Sequence, residues 1–107
     1  MTTATHISNE IDFDTLLQEE TLLVIDCTAT WCGPCKMVAP LMDRLAEEFV
    51  DRAQVFKLDL DANPPVAKRF GIRSIPAVMF FKNGELMETI VGVKPYDEFS
   101  SAVGKYL

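Results

Sequence analysis

The sequence predicts an α/β domain built on a central mixed sheet of about five strands, parallel first and antiparallel at its end, with helices on both faces. Three observations carry this expectation. Strand-type and helix-type runs alternate through the first two thirds of the chain, the pattern of parallel strands joined by crossover helices. Leu22 to Ile25 is apolar at successive positions, as a strand covered on both faces must be. Near the C-terminus an Asn-Gly pair, Asn83-Gly84, separates two strand-like runs, which is the strongest short signal for an antiparallel hairpin.

A chain of 107 residues holds one compact core and is too short for two ordinary domains, so residues 1–107 are read as a single unit. With 49% hydrophobic and 24% charged residues, the charges scattered, the composition is that of a soluble globular protein. Ten basic against 16 acidic residues give a net charge of -6, and Lys68-Arg69 is an isolated basic pair. Such a surface repels nucleic acid and anionic lipid. The opening MTTATHISNE lacks the basic flank and apolar core of a secretory signal, and no run approaches the ~20 apolar residues of a membrane span. The expectation is a monomer in the cytoplasm or a comparably reducing compartment.

Thr5 to Ile7 reads as a short edge strand, and Ser8 or Asn9 can cap a helix in which Phe13, Leu16 and Leu17 share a face. Leu22 to Ile25 is the central strand. Asp26 interrupts that run, either as an exposed strand-end residue or as a buried carboxyl whose ionised form is costly to desolvate. From Pro34 to Phe49 the spacing of Met37, Val38, Leu41, Leu45, Ala46 and Phe49 predicts an amphipathic helix, with a bend at Pro40. Ala53 to Leu60 is a second buried strand in which Lys57 needs a counter-charge; Asp26 on the adjoining strand is the candidate, and a side chain reaching solvent is the alternative. Asn63-Pro64-Pro65 opens a short helix that Gly71 ends. Ile75 to Phe81 is a strand with Pro76 at its very start or at an edge. It pairs through the Asn83-Gly84 turn with Leu86 to Val91, and Tyr96, Phe99, Val103 and Tyr106 mark a closing helix.

Two thiols, Cys32 and Cys35, lie where strand hands over to helix. A two-residue gap closes almost no loop, so a disulfide there contributes little to stability and points to reactivity or metal instead. A helix N-terminus stabilises an anion by ~0.3–2 kcal/mol, which lowers a thiol pKa of about 8.5 by ~0.2–1.5 units. Cys32 at the helix start, with solvent access, is therefore the attacking thiol, and Cys35, one turn in and shielded, the resolving one. For zinc, only Cys27 and His6 could join the pair as ligands, and an iron–sulfur centre would lack a fourth ligand.

WCGPC at Trp31 to Cys35, preceded by Asp26 and followed by a helix containing Pro40, closely resembles the thioredoxin family. The resemblance runs through nearly the whole chain: Lys57, Asn63-Pro64, GIRSIP from Gly71 to Pro76, FKNG from Phe81 to Gly84, and Gly92. It implies the thioredoxin fold with a cis Ile75-Pro76 bond facing the thiols, and a protein-disulfide reductase that carries electrons through a reversible Cys32–Cys35 disulfide, with no bound cofactor and no metal. A shallow docking surface of Trp31, Gly33, Ile72, Ile75, Pro76, Gly92 and Val93 follows from the same resemblance, with Gly33 and Pro34 fixing the turn between the thiols. So do a proton path through Asp26 tuned by Lys57, client proteins with reducible disulfides, and recycling by an NADPH- or ferredoxin-linked thioredoxin reductase.

Relatives commonly carry Phe and a second Trp where this chain has Cys27 and Thr28, so redox potential or partner choice is expected to differ there. Cys27 alternates away from Asp26 and reads as a small buried filler or as an accessory thiol. An oxidase or isomerase is disfavoured by Gly-Pro between the thiols, and a non-catalytic binding subunit would use the same surface without turnover.

Overall fold

A computed structural model describes residues 4–107 and arranges them about β2 (Leu22–Thr28), the middle strand of a five-stranded sheet. β1 (Thr5–Ile7) and α1 (Glu10–Glu19) precede it. After it come α2 (Gly33–Glu48), β3 (Gln54–Asp59), α3 (Pro64–Phe70), β4 (Ala77–Lys82), β5 (Glu85–Val91) and α4 (Tyr96–Tyr106). The sheet runs in the order β1-β3-β2-β4-β5. Its first three strands are parallel, while β4 lies antiparallel to β2 and β5 antiparallel to β4. This is the mixed sheet with helices on both faces that the sequence predicts.

Every residue of β2 from Leu22 to Cys27 is buried, because the sheet is covered on both sides. Side chains alternate along a strand, so Leu22 and Val24 enter the layer filled by Val38, Met42 and Leu45 of α2 and Phe99 and Val103 of α4. Leu23, Ile25 and Cys27 enter the opposite layer, under α1 and α3. There Phe13, Phe70 and Phe81 meet edge to face, with centroids 5.3 to 5.8 Å apart, the arrangement that aromatic quadrupoles favour. Asp26 has the parity of Val24, so it faces α2, and this one-residue alternation separates it from Cys27.

Local chemistry sets the ends of the elements. The Asn9 side chain accepts the Asp12 amide at 2.9 Å and caps α1. Pro64 and Pro65 occupy the first turn of α3, where a missing N–H loses nothing, and Gly71 ends it in a left-handed conformation, φ 67°. Pro76 sits immediately before β4, which resolves the conflict between a proline and an internal strand: it withdraws no N–H from the ladder. α2 runs unbroken across Pro40, whose ring is exposed. Its buried stripe is Cys35, Val38, Met42, Leu45 and Ala46. Met37 is instead 62% exposed, a correction to the expected face: the stripe starts at Cys35 and turns away from position 37.

The β4–β5 hairpin closes through Asn83 and Gly84 at φ 52° and 82°, the two positive values that a two-residue turn matched to strand twist requires. A Cβ on Gly84 would also stand 3.0 Å from the Leu17 carbonyl oxygen of α1. Gly84→Ala is therefore expected to destabilise the fold by about 1–3 kcal/mol, from the backbone conformation and the crowding together. A lowered midpoint in chemical denaturation with an unchanged slope checks this; an unchanged midpoint would show that the turn relaxes freely.

Candidate active site

β2 ends at Thr28, and a short loop delivers the chain to Cys32, the residue that caps α2. Its Sγ accepts a hydrogen bond from the Cys35 amide at 3.2 Å, so the sulfur itself occupies the position where the unpaired N–H groups of the helix converge. Gly33 and Pro34 form the first turn between the two cysteines, and both are exposed. Cys32 and Cys35 are joined in a disulfide with Cα atoms 5.3 Å apart. One difference from expectation concerns access: in this bridged form Cys32 is as buried as Cys35, 3% against 2%, since both sulfurs are packed with Ala29 and Ile75. The asymmetry between the thiols lies in the cap geometry, with Cys32 at the helix mouth and Cys35 within its first turn.

Asp26 is buried in the α2 layer at 1% exposure, and among the described residues neither carboxylate oxygen has a hydrogen-bond partner. Desolvation, opposed by the charge of Lys57 and reinforced to a smaller extent by that of Asp43, raises its pKa to about 7. Lys57 stands directly across from Asp26 in the parallel β2–β3 register. Its ammonium nonetheless pairs with Asp43 of α2, at 3.1 Å, rather than with Asp26. This corrects the expected ion pair, and burial explains it. The Asp43 side chain is 36% exposed, whereas an ionised Asp26 would be dry, so the pair that keeps one charge in contact with water is the less costly one.

Cys27 is fully buried on the opposite layer, and desolvation, with a smaller contribution from Asp26, pushes its thiol up to about 12. It is therefore a packing residue with a poor nucleophile. His6 is exposed on the edge strand β1, and among the described residues no three His, Cys, Asp or Glu side chains gather as metal ligands would.

Around the disulfide, the Ile75-Pro76 peptide bond is cis. Ile75 packs on the cysteine pair, and the Gly92 amide donates to the Pro76 carbonyl at 2.8 Å, joining the loops before β4 and after β5. Gly92 adopts φ 96°, a conformation that favours glycine. Val93 and Trp31 are exposed, at 42% and 69%, and Ile72 is half-buried against the α1–α3 layer.

Two residues that sequence reasoning passed over belong to this region. Asp43 carried a signal, since it lies at the margin of the buried α2 stripe, one position from Met42 and three from Ala46. Asp61 carried none: it accepts the Trp31 indole N–H at 2.6 Å from a loop 30 positions away. Asp59 holds that loop by accepting the Asp61 amide at 2.8 Å.

A family model described as Thioredoxin matches residues 4–105. Among curated proteins, the chain is 42% identical over 102 residues to the Thioredoxin M-type, chloroplastic, of Pisum sativum, covering 94% of this chain and 59% of that protein. It is 41% identical over 92 residues to Thioredoxin 1 of Synechococcus elongatus, covering 86% of each. The chain thus spans little more than half the length of the plant relatives it matches. The solved structure of Malassezia sympodialis thioredoxin superposes with a TM-score of 0.90 at 33% identity, covering 99% of this chain and 92% of that one.

The buried Asp26 makes stability depend on pH. As pH rises past about 4 the unfolded chain loses this proton while the folded one keeps it to about 7, so stability falls across that window and levels off above it. Three pH units at ~1.4 kcal/mol each amount to a penalty on the order of 4 kcal/mol. Asp26→Asn is therefore expected to stabilise the protein at pH 8 and to have little effect below pH 4, as measured by denaturation at both values. A difference that does not change with pH would contradict the buried, proton-holding carboxyl.

Proposed function

The chain belongs to the thioredoxin family, and from that premise we propose that it is a protein-disulfide reductase working through the Cys32–Cys35 pair. The observation that carries this reading is the Cys35 amide pointed at Cys32 Sγ at the mouth of α2, where a sulfur that becomes a thiolate on reduction is stabilised.

In the reduced protein the Cys32 thiolate attacks one sulfur of a client disulfide, forming a mixed disulfide and releasing the other sulfur as a thiolate. Asp26, directly or through a water, takes the proton from the Cys35 thiol. Cys35 Sγ then attacks Cys32 Sγ, the mixed disulfide breaks, and the second client sulfur leaves. Two electrons have passed to the client, whose two sulfurs end as thiols, and the protein is left with the bridge seen between Cys32 and Cys35. A pKa near 7 suits Asp26 to a proton that must be taken and returned near neutrality.

Docking uses the apolar rim around the bridge. The surface is taken to comprise exposed Trp31 and Val93, the exposed Gly33-Pro34 turn, half-buried Ile72, Ile75 and Gly92, and buried Pro76, with the Ile75 backbone pairing to an extended client segment. An NADPH- or ferredoxin-linked reductase returns the electrons. The same reading takes the chain to work as a monomer in a reducing compartment such as the cytoplasm, where a reversible bridge is returned to thiols.

Reduction of insulin in the presence of dithiothreitol as electron donor tests this directly. The native chain is expected to accelerate it and Cys32→Ser to return the rate to background, while Cys35→Ser, first reduced and then freed of dithiothreitol, is expected to accumulate a covalent mixed disulfide with insulin visible by mass spectrometry. Full activity in Cys32→Ser would reject the mechanism.

A further inference from the structure

On the α2 side of the sheet, three ionisable groups share one layer in an order that the reaction cycle above does not account for. Asp26 from β2 has no hydrogen-bond partner for either oxygen among the described residues. Lys57 stands opposite it on β3, close enough in register for contact, with a side chain 13% exposed. Asp43 of α2 draws that ammonium to itself at 3.1 Å, and its same Oδ1 accepts the Ala4 amide at 3.0 Å, which ties the carboxylate to the segment leading into β1. From β4 the residue facing Asp26 is Val78, which has no charge. In the same layer, α4 contributes Tyr96, whose hydroxyl donates to Glu48, away from Asp26. Cys27, next along β2, points to the other side of the sheet, and Cys35 is bridged.

We propose that Asp43 is a positioning residue for the proton path: by holding the Lys57 ammonium off the Asp26 carboxyl, it decides how readily Asp26 gives up and recovers its proton. Asp26 and Asp43 compete for the Lys57 ammonium. An ammonium in contact with a buried carboxyl favours its ionised form strongly, and the same ammonium bound to a second carboxylate favours it much less. Asp43 acts in two ways in the same direction, by taking the cation and by placing its own negative charge in the layer. The Ala4 amide strengthens the first by fixing Asp43 Oδ1 where Lys57 meets it. The importance for turnover rests on the reading of Asp26 as the proton acceptor for Cys35, whereas the charge competition itself does not.

Asp43→Asn removes the charge and keeps an oxygen that can accept from Ala4. The experiment follows the Asp26 carboxyl carbon by NMR across pH in the oxidised protein, assigned by its loss in Asp26→Asn. Asp43→Asn is expected to lower the Asp26 midpoint by about one unit or more. The same change made in a Lys57→Met background is expected to lower it by less than half as much, because no cation is left to release. Asp43→Glu, which can still hold Lys57, is expected to leave the midpoint nearly unchanged and guards against a variant that folds poorly. An unmoved midpoint in Asp43→Asn, equal shifts in both backgrounds, or a shift in Asp43→Glu as large as in Asp43→Asn would overturn the proposal. In a second arm, the acidic limb of the pH profile for mixed-disulfide resolution is expected to move down with the midpoint. A midpoint that moves while the limb stays would leave the charge competition standing and reject Asp26 as the proton acceptor.

Discussion

The hydrogen bond from the Cys35 amide to Cys32 Sγ is the contact on which the chemistry of this fold depends. It exists because Cys32 is the residue that caps α2, and it puts sulfur where side-chain oxygens of Ser, Asp or Asn usually sit. The rest of the fold serves that placement. β2 is buried on both faces between β3 and β4, α2 packs on one of those faces through Val38, Met42 and Leu45, and the loop between them is thereby held at both ends. Ile75, at the approach to β4, covers the bridge from the other side.

Behind the bridge the protein retains an arrangement that opposes its own stability. A carboxyl with no hydrogen-bond partner among the described residues is unfavourable once ionised in a dry layer, and the Lys57 ammonium on the facing strand is engaged with Asp43. In the proposed cycle such a group stands where a proton has to move near neutral pH, whereas a packing position would be filled by an apolar residue. Cys27, one residue on, shows the contrast: a titratable side chain, equally buried, with its thiol held protonated and no charge to manage.

Most of this was legible in the sequence, for physical reasons that differ from element to element. The buried run of β2, the Asn83-Gly84 turn, the Pro-start and Gly-stop of α3, and the Cys-Gly-Pro-Cys junction are all local signals, set within a few residues. The Lys57 partner was not, because Asp26 and Asp43 were both within reach and the choice rests on which of them keeps contact with water. The exposure of Met37 turned on a helical phase set by Cys35, and the tie between Trp31 and Asp61 on a loop brought in from β3. Burial of Cys32 follows from its packing with Cys35, Ala29 and Ile75, the last of these from a loop 43 positions on in the sequence.

The central claim is that the two ends of the pair are unequal, with Cys32 stabilised as a thiolate by the mouth of α2. The most direct measurement is alkylation of the fully reduced protein by iodoacetamide as a function of pH, with the modified residue located by mass spectrometry. The account predicts that Cys32 is labelled first, with a midpoint below the ~8.5 of a free thiol, while Cys27 stays unlabelled in the native state. First labelling at Cys35 or Cys27, or a Cys32 midpoint at or above that of a free thiol, would contradict it.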